Sequence, residues 1–181
     1  LGHEILIMTT APETSADRPP VLQICGEVER AEHLTAQMLA ALPERWQIAD
    51  VSQHDRRRRG RGVWLAGLLE AFGARGVARY LSVHAGRDGF HACVPLEAVR
   101  ERSLVIYELD GQPLPVERGG PFRFLVLDAA ICKTAEIDEC VNVKYVDRLE
   151  LTIDRTVAET GKLPAEELPW LRADEVREPL T

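Results

Sequence analysis

The chain has 181 residues, 45% of them hydrophobic and 28% charged, with a formal net charge of −7. That length suits one compact domain and is short for two, and the composition is ordinarily globular. The acidic balance argues against a broad nucleic-acid face, and no apolar run approaches the roughly 20 residues that span a bilayer.

Four cysteines, Cys25, Cys93, Cys132 and Cys140, are too few and too scattered for a disulfide scaffold, and none forms a CxxC. A domain of this size buries enough core without covalent staples, so reduced thiols and a cytoplasmic location are the expectation. The opening LGHEILIM is too short, and with Glu4 too polar, for a membrane helix or a good signal peptide. Met8 followed by TTAPETSADRPP reads as a natural start preceded by vector-derived residues 1–7. Residues 1–20 are read as a flexible leader, 21–153 as the folded domain and 154–181 as an extended polar tail.

In chain order, VLQICGEV reads as a strand from its β-branched content. A helix follows in HLTAQMLAALP, with Thr35 as N-cap, Leu34, Met38, Leu39 and Leu42 at helical spacing, and Pro43 as its stop. WQIADVS reads as a second strand, its alternation placing Trp46, Ile48, Asp50 and Ser52 on one face. After the charged loop QHDRRRRGRG comes a short amphipathic helix, VWLAGLLEAFGARG, closed by Gly73. VARYLSVH and FHACVPL form a strand pair across the AGRDG turn, PLEAVRE a brief helix, and SLVIYEL a buried strand. Asp110–Gly111 marks a hairpin, and FRFLVLDAAI and VKYVDRLELTI are the last strands. Strands interleaved with short helices, without long crossovers, give the class α+β with a mixed β-sheet.

Chemistry is expected only between Ile48 and Tyr145. The run Arg56 to Arg59, then Arg61, is either a solvated loop or an anion site, since guanidinium forks match phosphate, sulfate or carboxylate oxygens. Taken alone it reads as the solvated loop, because charge runs usually face water. His84, Arg87, Asp88 and His91 crowd one turn with Cys93 just beyond, but their spacing matches no strong zinc signature. The plainer reading is a polar turn beside a buried cysteine. In GGPFR, Arg123 enters a strand behind two glycines and a proline, either as a satisfied core charge or as an anion ligand. Lys133 and Lys144 follow.

The ordered set GRGVWLAGLLEAFG, ARYLSVHAGRDGFHACVPL, YELDGQPLPVERGGPFRFLVL and VKYVDRLELT resembles the molybdopterin-binding domain of the sulfite oxidase family. With the lead-in GEVERAEHLTAQMLAALP, the likeness runs from Val21 to Thr152. It implies a sulfite-oxidase-like fold holding a molybdenum pterin in a cleft, with Arg123 and Lys144, and Lys133 as a third, beside the pterin and its phosphate. His84, Arg87 and Asp88 then fall on a cleft-lining segment. The family ligates molybdenum through a cysteine on the strand before the G-V helix. Here that strand reads IADVSQH, with Asp50 and Ser52 as the nearest donors and Cys93 as the fallback ligand. Hard oxygen donors are poor substitutes for a thiolate, so no metal is expected in the usual mode. The acidic segment 128–140 is longer than the family's usual connection. The expected function is a molybdopterin-binding oxidoreductase-like domain, inactive or non-standard. The alternative is a cofactor-free relative that binds a small anion or a partner protein.

Overall fold

Strand β1 (Leu22–Gly26) buries Leu22 and Ile24 and leaves Gln23 and Cys25 half-covered, the period-two pattern of a sheet with one face on a core. The same alternation recurs in β10 (Arg148–Thr152), where Leu149 and Leu151 are buried. The structure is a computed structural model that describes residues 19–127 and 142–155. In it, β1 and β10 lie side by side and parallel, with Gln23 opposite Arg148 and Cys25 opposite Glu150. Antiparallel pairing adds β2 (Glu32–Leu34) beyond β1, and β5 (Tyr80–Ala85) with β6 (Phe90–Pro95) beyond β10. The order of this first sheet is β2-β1-β10-β5-β6.

A second sheet runs β3 (Gln47–Ile48), β4 (Arg61–Trp64), β7 (Ser103–Leu109), β8 (Gln112–Pro113), with β9 (Arg123–Val126) also on β7. Five consecutive residues of β7, Ser103 to Tyr107, are buried, because this strand is covered on both faces. Val105 and Tyr107 join the main core with Leu22, Ile24, Leu81, Val83, Leu149 and Leu151 of the first sheet. Leu104 and Ile106 face the other way, into a smaller core with Ile48, Val51, Leu114 and Leu125. Each such aliphatic side chain contributes about 1.5–3 kcal/mol on burial. The class is therefore α+β with mixed pairing, as the sequence implies.

Helix α1 (Ala36–Ala40) starts where expected, the Thr35 hydroxyl accepting from Met38 N–H at 3.2 Å. Helix α2 (Leu65–Phe72) buries Leu65, Leu68, Leu69 and Phe72, packs on β4 and β7, and ends at Gly73 with φ 69°. Gly67 on α2 lies under the Trp46 ring with no room for a Cβ. Helix α3 (Leu96–Val99) follows β6 directly. The Asp110–Gly111 hairpin is present, both residues holding positive φ (52° and 77°) between β7 and β8. Gln47 ties three elements together: its Nε2 donates to Leu39 O and Leu42 O, while its Oε1 accepts from Tyr107 Oη at 2.7 Å.

Three expectations need correction. VKYVDRLELTI is a strand only in its second half, since β10 spans Arg148–Thr152 and residues 143–147 lie outside any strand. WQIADVS does not continue as a strand past Ile48; Val51–Gln53 form a 3₁₀ turn capped by Asp50, and Val51 points into the smaller core. Asp50 and Ser52 therefore do not share a strand face with Trp46 and Ile48. The strand β4 starts inside the glycine-broken loop, at Arg61, and takes Val63 and Trp64 from the predicted helix. Residues 1–18 of the expected leader 1–20, with the vector-derived 1–7 among them, the acidic segment 128–140 and residues 156–181 of the tail lie outside the described residues.

Candidate anion-binding site

The loop after Val51 is folded by its own carboxylate. Asp55 Oδ1 accepts from Arg57 N–H at 2.9 Å, and Asp55 O accepts from Arg58 N–H at 2.9 Å. This Asx-type turn brings Arg56, Arg57, Arg58 and Arg59 to the wall of a cavity of about 180 Å³. The floor is apolar, from Ile106 and Leu109 on β7 and from Leu114. Arg118 and Arg123 complete the wall, and Asp110 is the carboxylate that lines it.

Arg123 is the buried member, with 6% of its surface exposed. Its Nη1 donates to Arg118 O at 2.9 Å, but its Nε is buried without a hydrogen-bond partner, and so is Nε of Arg58. Burial, and then the neighbouring Arg58, pull the Arg123 pKa below its usual value, while Asp55 and Tyr145 oppose them. Arg58 reaches Asp55 only at 4.0 Å, beyond hydrogen-bond range. Buried polar groups are normally satisfied, and an unpaired charged donor is costly. Arg58 and Arg123, each with an orphaned Nε–H, both line the one arginine-rich cavity, and guanidinium groups suit an anion's oxygens.

Gly119, at φ 91°, lets the backbone turn between these groups. A Cβ there would meet Lys144 Cγ at 2.9 Å and Arg123 Nη1 at 3.3 Å. Lys144 is thus brought beside Arg123, though its side chain is exposed and does not line the cavity. Tyr145, itself at φ 57°, donates its N–H to Gly119 O at 2.8 Å and carries the Arg87 guanidinium 4.9 Å over its ring. Arg87 and Asp88 are exposed in the Gly86–Asp88 turn, apart from the cavity. Lys133, Cys132 and Cys140 lie outside the described residues.

His84 stands instead on the outer face of the first sheet. Arg148 Nη2 lies 3.2 Å from its Nδ1; an arginine only donates, so Nδ1 accepts and Nε2 carries the proton to Glu150 Oε2 at 3.0 Å. That bond is the first cause holding the Glu150 carboxyl below its usual range. His91 stacks on His84 with ring centroids 4.5 Å apart, and burial lowers its pKa. Cys93 and Cys25 are free, half-buried thiols on the same face, in register with Ser82 and Glu150. Among the described residues no three such side chains are arranged to hold a metal ion.

At the strand where the resemblance implies a metal ligand, the oxygen donors are turned toward each other. Asp50 Oδ2 accepts from the Ser52 hydroxyl at 2.6 Å and Oδ1 from Ser52 N–H at 2.9 Å, so both donors are already engaged. Val51 between them is fully buried. The residues present fit the phosphate end of a pterin and do not fit a thiolate-type anchor for its metal. Asp50, Arg59, Arg61, Glu108 and Asp110 line a second cavity that shares Arg59, Leu109 and Asp110 with the first. The arginine run, read in isolation as a solvated loop, keeps Arg56, Arg57 and Arg59 exposed and also lines the cavity; Asp110 reads only as a turn residue, and Arg118 carries no local signal.

No curated protein matches this sequence. Among solved structures, the sulfane dehydrogenase SoxCD from Paracoccus pantotrophus is similar in fold, with a TM-score of 0.54 at 17% identity over 75% of this chain. The likeness covers 39% of that protein's chain, so this chain spans well under half of it. Among the described residues no helix is long and apolar enough to cross a membrane. The model of the oxidoreductase molybdopterin binding domain matches residues 20–160, a stretch that takes in both sheets and the arginine-lined cavity. The chain belongs to the oxidoreductase molybdopterin-binding domain family.

Proposed function

We propose that this chain binds a molybdopterin-type ligand through its phosphate in the arginine cavity, and does not catalyse oxygen-atom transfer in the family's usual way. The observation that carries this reading is the convergence of Arg58 and Arg123, each with a Nε–H that no protein group accepts, on one arginine-lined cavity. Charge-assisted bonds from guanidinium forks to phosphate oxygens are among the strongest available to a protein. Lys144, exposed next to Arg123 across Gly119, supplies a further cation at that end. The bound group would supply molybdenum redox chemistry; the chain's part would be to hold the anion and exclude water from it over the Ile106–Leu109–Leu114 floor.

Catalysis by the family route requires a thiolate, and the chain offers Asp50, Val51 and Ser52 there. Oxygen donors hold a soft metal loosely and alter its electronics. The mutual engagement of Asp50 and Ser52 favours a second reading, a cofactor-free relative in which the same cavity takes a small free anion. Purification of the full chain from a molybdenum-replete host, followed by assays of bound pterin and of sulfite and sulfoxide turnover, separates the cases. Bound pterin without turnover is the expected result. Stoichiometric molybdenum with robust sulfite oxidation would overturn it.

A further inference from the structure

The outer face of the first sheet holds a set of titratable groups that the cavity does not use. Arg148 and Glu150 stand two residues apart on β10, and His84, opposite Arg148 on β5, is bonded to both. An arginine only donates, so the 3.2 Å bond from Arg148 Nη2 requires a bare Nδ1 and therefore a neutral His84. The Nε2–H of the same ring is committed to Glu150 Oε2 at 3.0 Å. His91 covers the ring from β6, with centroids 4.5 Å apart and planes tilted by 33°.

The geometry points to His84 as a pH-operated latch on Arg148: a proton from solvent, taken up at Nδ1, turns the acceptor into a donor, breaks the Arg148 bond and releases that guanidinium to solvent. The new N–H opposes the arginine donor, and two like charges at ~3 Å repel. Glu150 keeps its bond to Nε2–H and becomes the partner of an imidazolium. That bond is the first cause holding the Glu150 carboxyl below its usual range, so it stays ionised where histidines titrate. His91 charges after His84, since burial, and then His84 itself, lower its pKa. The remaining titratable groups toward this face are set apart from the latch. Cys25, opposite Glu150, is a thiol whose pKa burial raises, Cys93 lies across Ser82, and His33 stands one strand further out, opposite Gln23. Asp147 turns its carboxylate to Gly86 N at 2.7 Å, and Arg87 and Asp88 are exposed in the turn beyond Ala85. The movement is confined to a side chain, because Asp147 N–H donates to His84 O at 3.0 Å and Asp147 O accepts from Gln23 N–H at 2.8 Å. Leu149 and Leu151 meanwhile stay in the main core. Acidification thus adds a positive charge to this face and frees a guanidinium while the sheet beneath stays folded.

Nitrogen NMR of the isotope-labelled chain, taken from about pH 8 to pH 5, follows both halves of the latch in one sample. At the upper end the His84 nitrogens should show the Nε2–H tautomer. The Arg148 Nη–H signals should there stand apart from the averaged signal of exposed arginines such as Arg79. As His84 takes up its proton, the separate Arg148 signals should be lost into that average with the same midpoint. His84→Gln should abolish the pH dependence of the Arg148 signals, and His91→Gln should keep it. The tautomer and the shared midpoint are read in the parent and need no variant. An Nδ1–H tautomer at the upper end, or Arg148 signals that stay in place while His84 titrates, would overturn the latch. An unchanged Arg148 transition in His84→Gln, or its loss in His91→Gln, would equally remove His84 as the trigger.

Discussion

The Ser52 hydroxyl donates to Asp50 Oδ2 at 2.6 Å while the Ser52 N–H donates to Oδ1 at 2.9 Å, so each oxygen donor near the expected metal position already holds the other. The hydroxyl bond is the first cause, and the backbone bond the second, of an Asp50 carboxyl held below its usual range. A carboxyl depressed in the folded state contributes stability above its unfolded pKa and loses it as pH falls through the folded value. Ser52→Ala is expected to raise the Asp50 titration midpoint toward that of an ordinary aspartate and to flatten the acid limb of the stability curve. Carboxyl carbon chemical shifts followed through an acid titration check this directly.

The same pair sets the outcome of restoring a soft ligand. Ser52→Cys removes the hydroxyl clamp and introduces a thiol two residues from Asp50; Asp50→Cys is the second variant. Molybdenum retained per chain after exhaustive desalting, from cells supplied with molybdate, should rise in at least one of them. No rise in either would place the missing ligand elsewhere in the chain.

Gly119 is the residue on which the cavity's basic side depends. At φ 91° a side chain is strained wherever it points, and a Cβ would press on Lys144 Cγ and Arg123 Nη1. Gly119→Ala is expected to cost about 1–3 kcal/mol, read from the midpoint of urea unfolding, and to weaken anion binding beyond the loss of folded protein. A variant as stable as the parent would mean that the loop relaxes freely.

Tyr107 buries its ring in the main core and gives its hydroxyl to Gln47, whose amide in turn holds the end of α1. Tyr107→Phe keeps the ring and leaves Gln47 Oε1 without that donor, a loss of about 1–3 kcal/mol. Urea unfolding again reads it. The ligand affinity of the cavity should not change, because neither Tyr107 nor Gln47 lines it.

Much of this architecture is legible in the sequence. The Thr35 cap, the Gly73 stop, the β5–β6 pair and the Asp110–Gly111 hairpin each carry a local physical signature, and each is present. The failures also have local causes. Alternation in WQIADVS imitates a strand, but Asp50 competes for the backbone by capping the turn after it, and Val51 is drawn into a core made of distant residues. β4 begins at Arg61 and Gly62, residues of low strand propensity that are held by pairing to β7. The site was legible only as separate pieces. Arg123 and the arginine run are conspicuous, yet their meeting is a tertiary event set by β9 and the Asp55 turn. His84 shows the converse: a conspicuous residue that the fold commits to Glu150 and Arg148 on another face.

If Arg58 and Arg123 hold the phosphate of a bound pterin, the amount of pterin that copurifies with the chain depends on both side chains. The 181-residue chain and its Arg58→Gln variant would be prepared from the same molybdopterin-producing host and oxidised, and the released pterin quantified by fluorescence per mole of chain. Arg123→Lys provides a second variant that keeps the charge but loses the fork. Pterin approaching one per chain is expected in the parent and at least tenfold less in Arg58→Gln, with both proteins folded by circular dichroism. Pterin undiminished in both variants, or none in the parent, would contradict it.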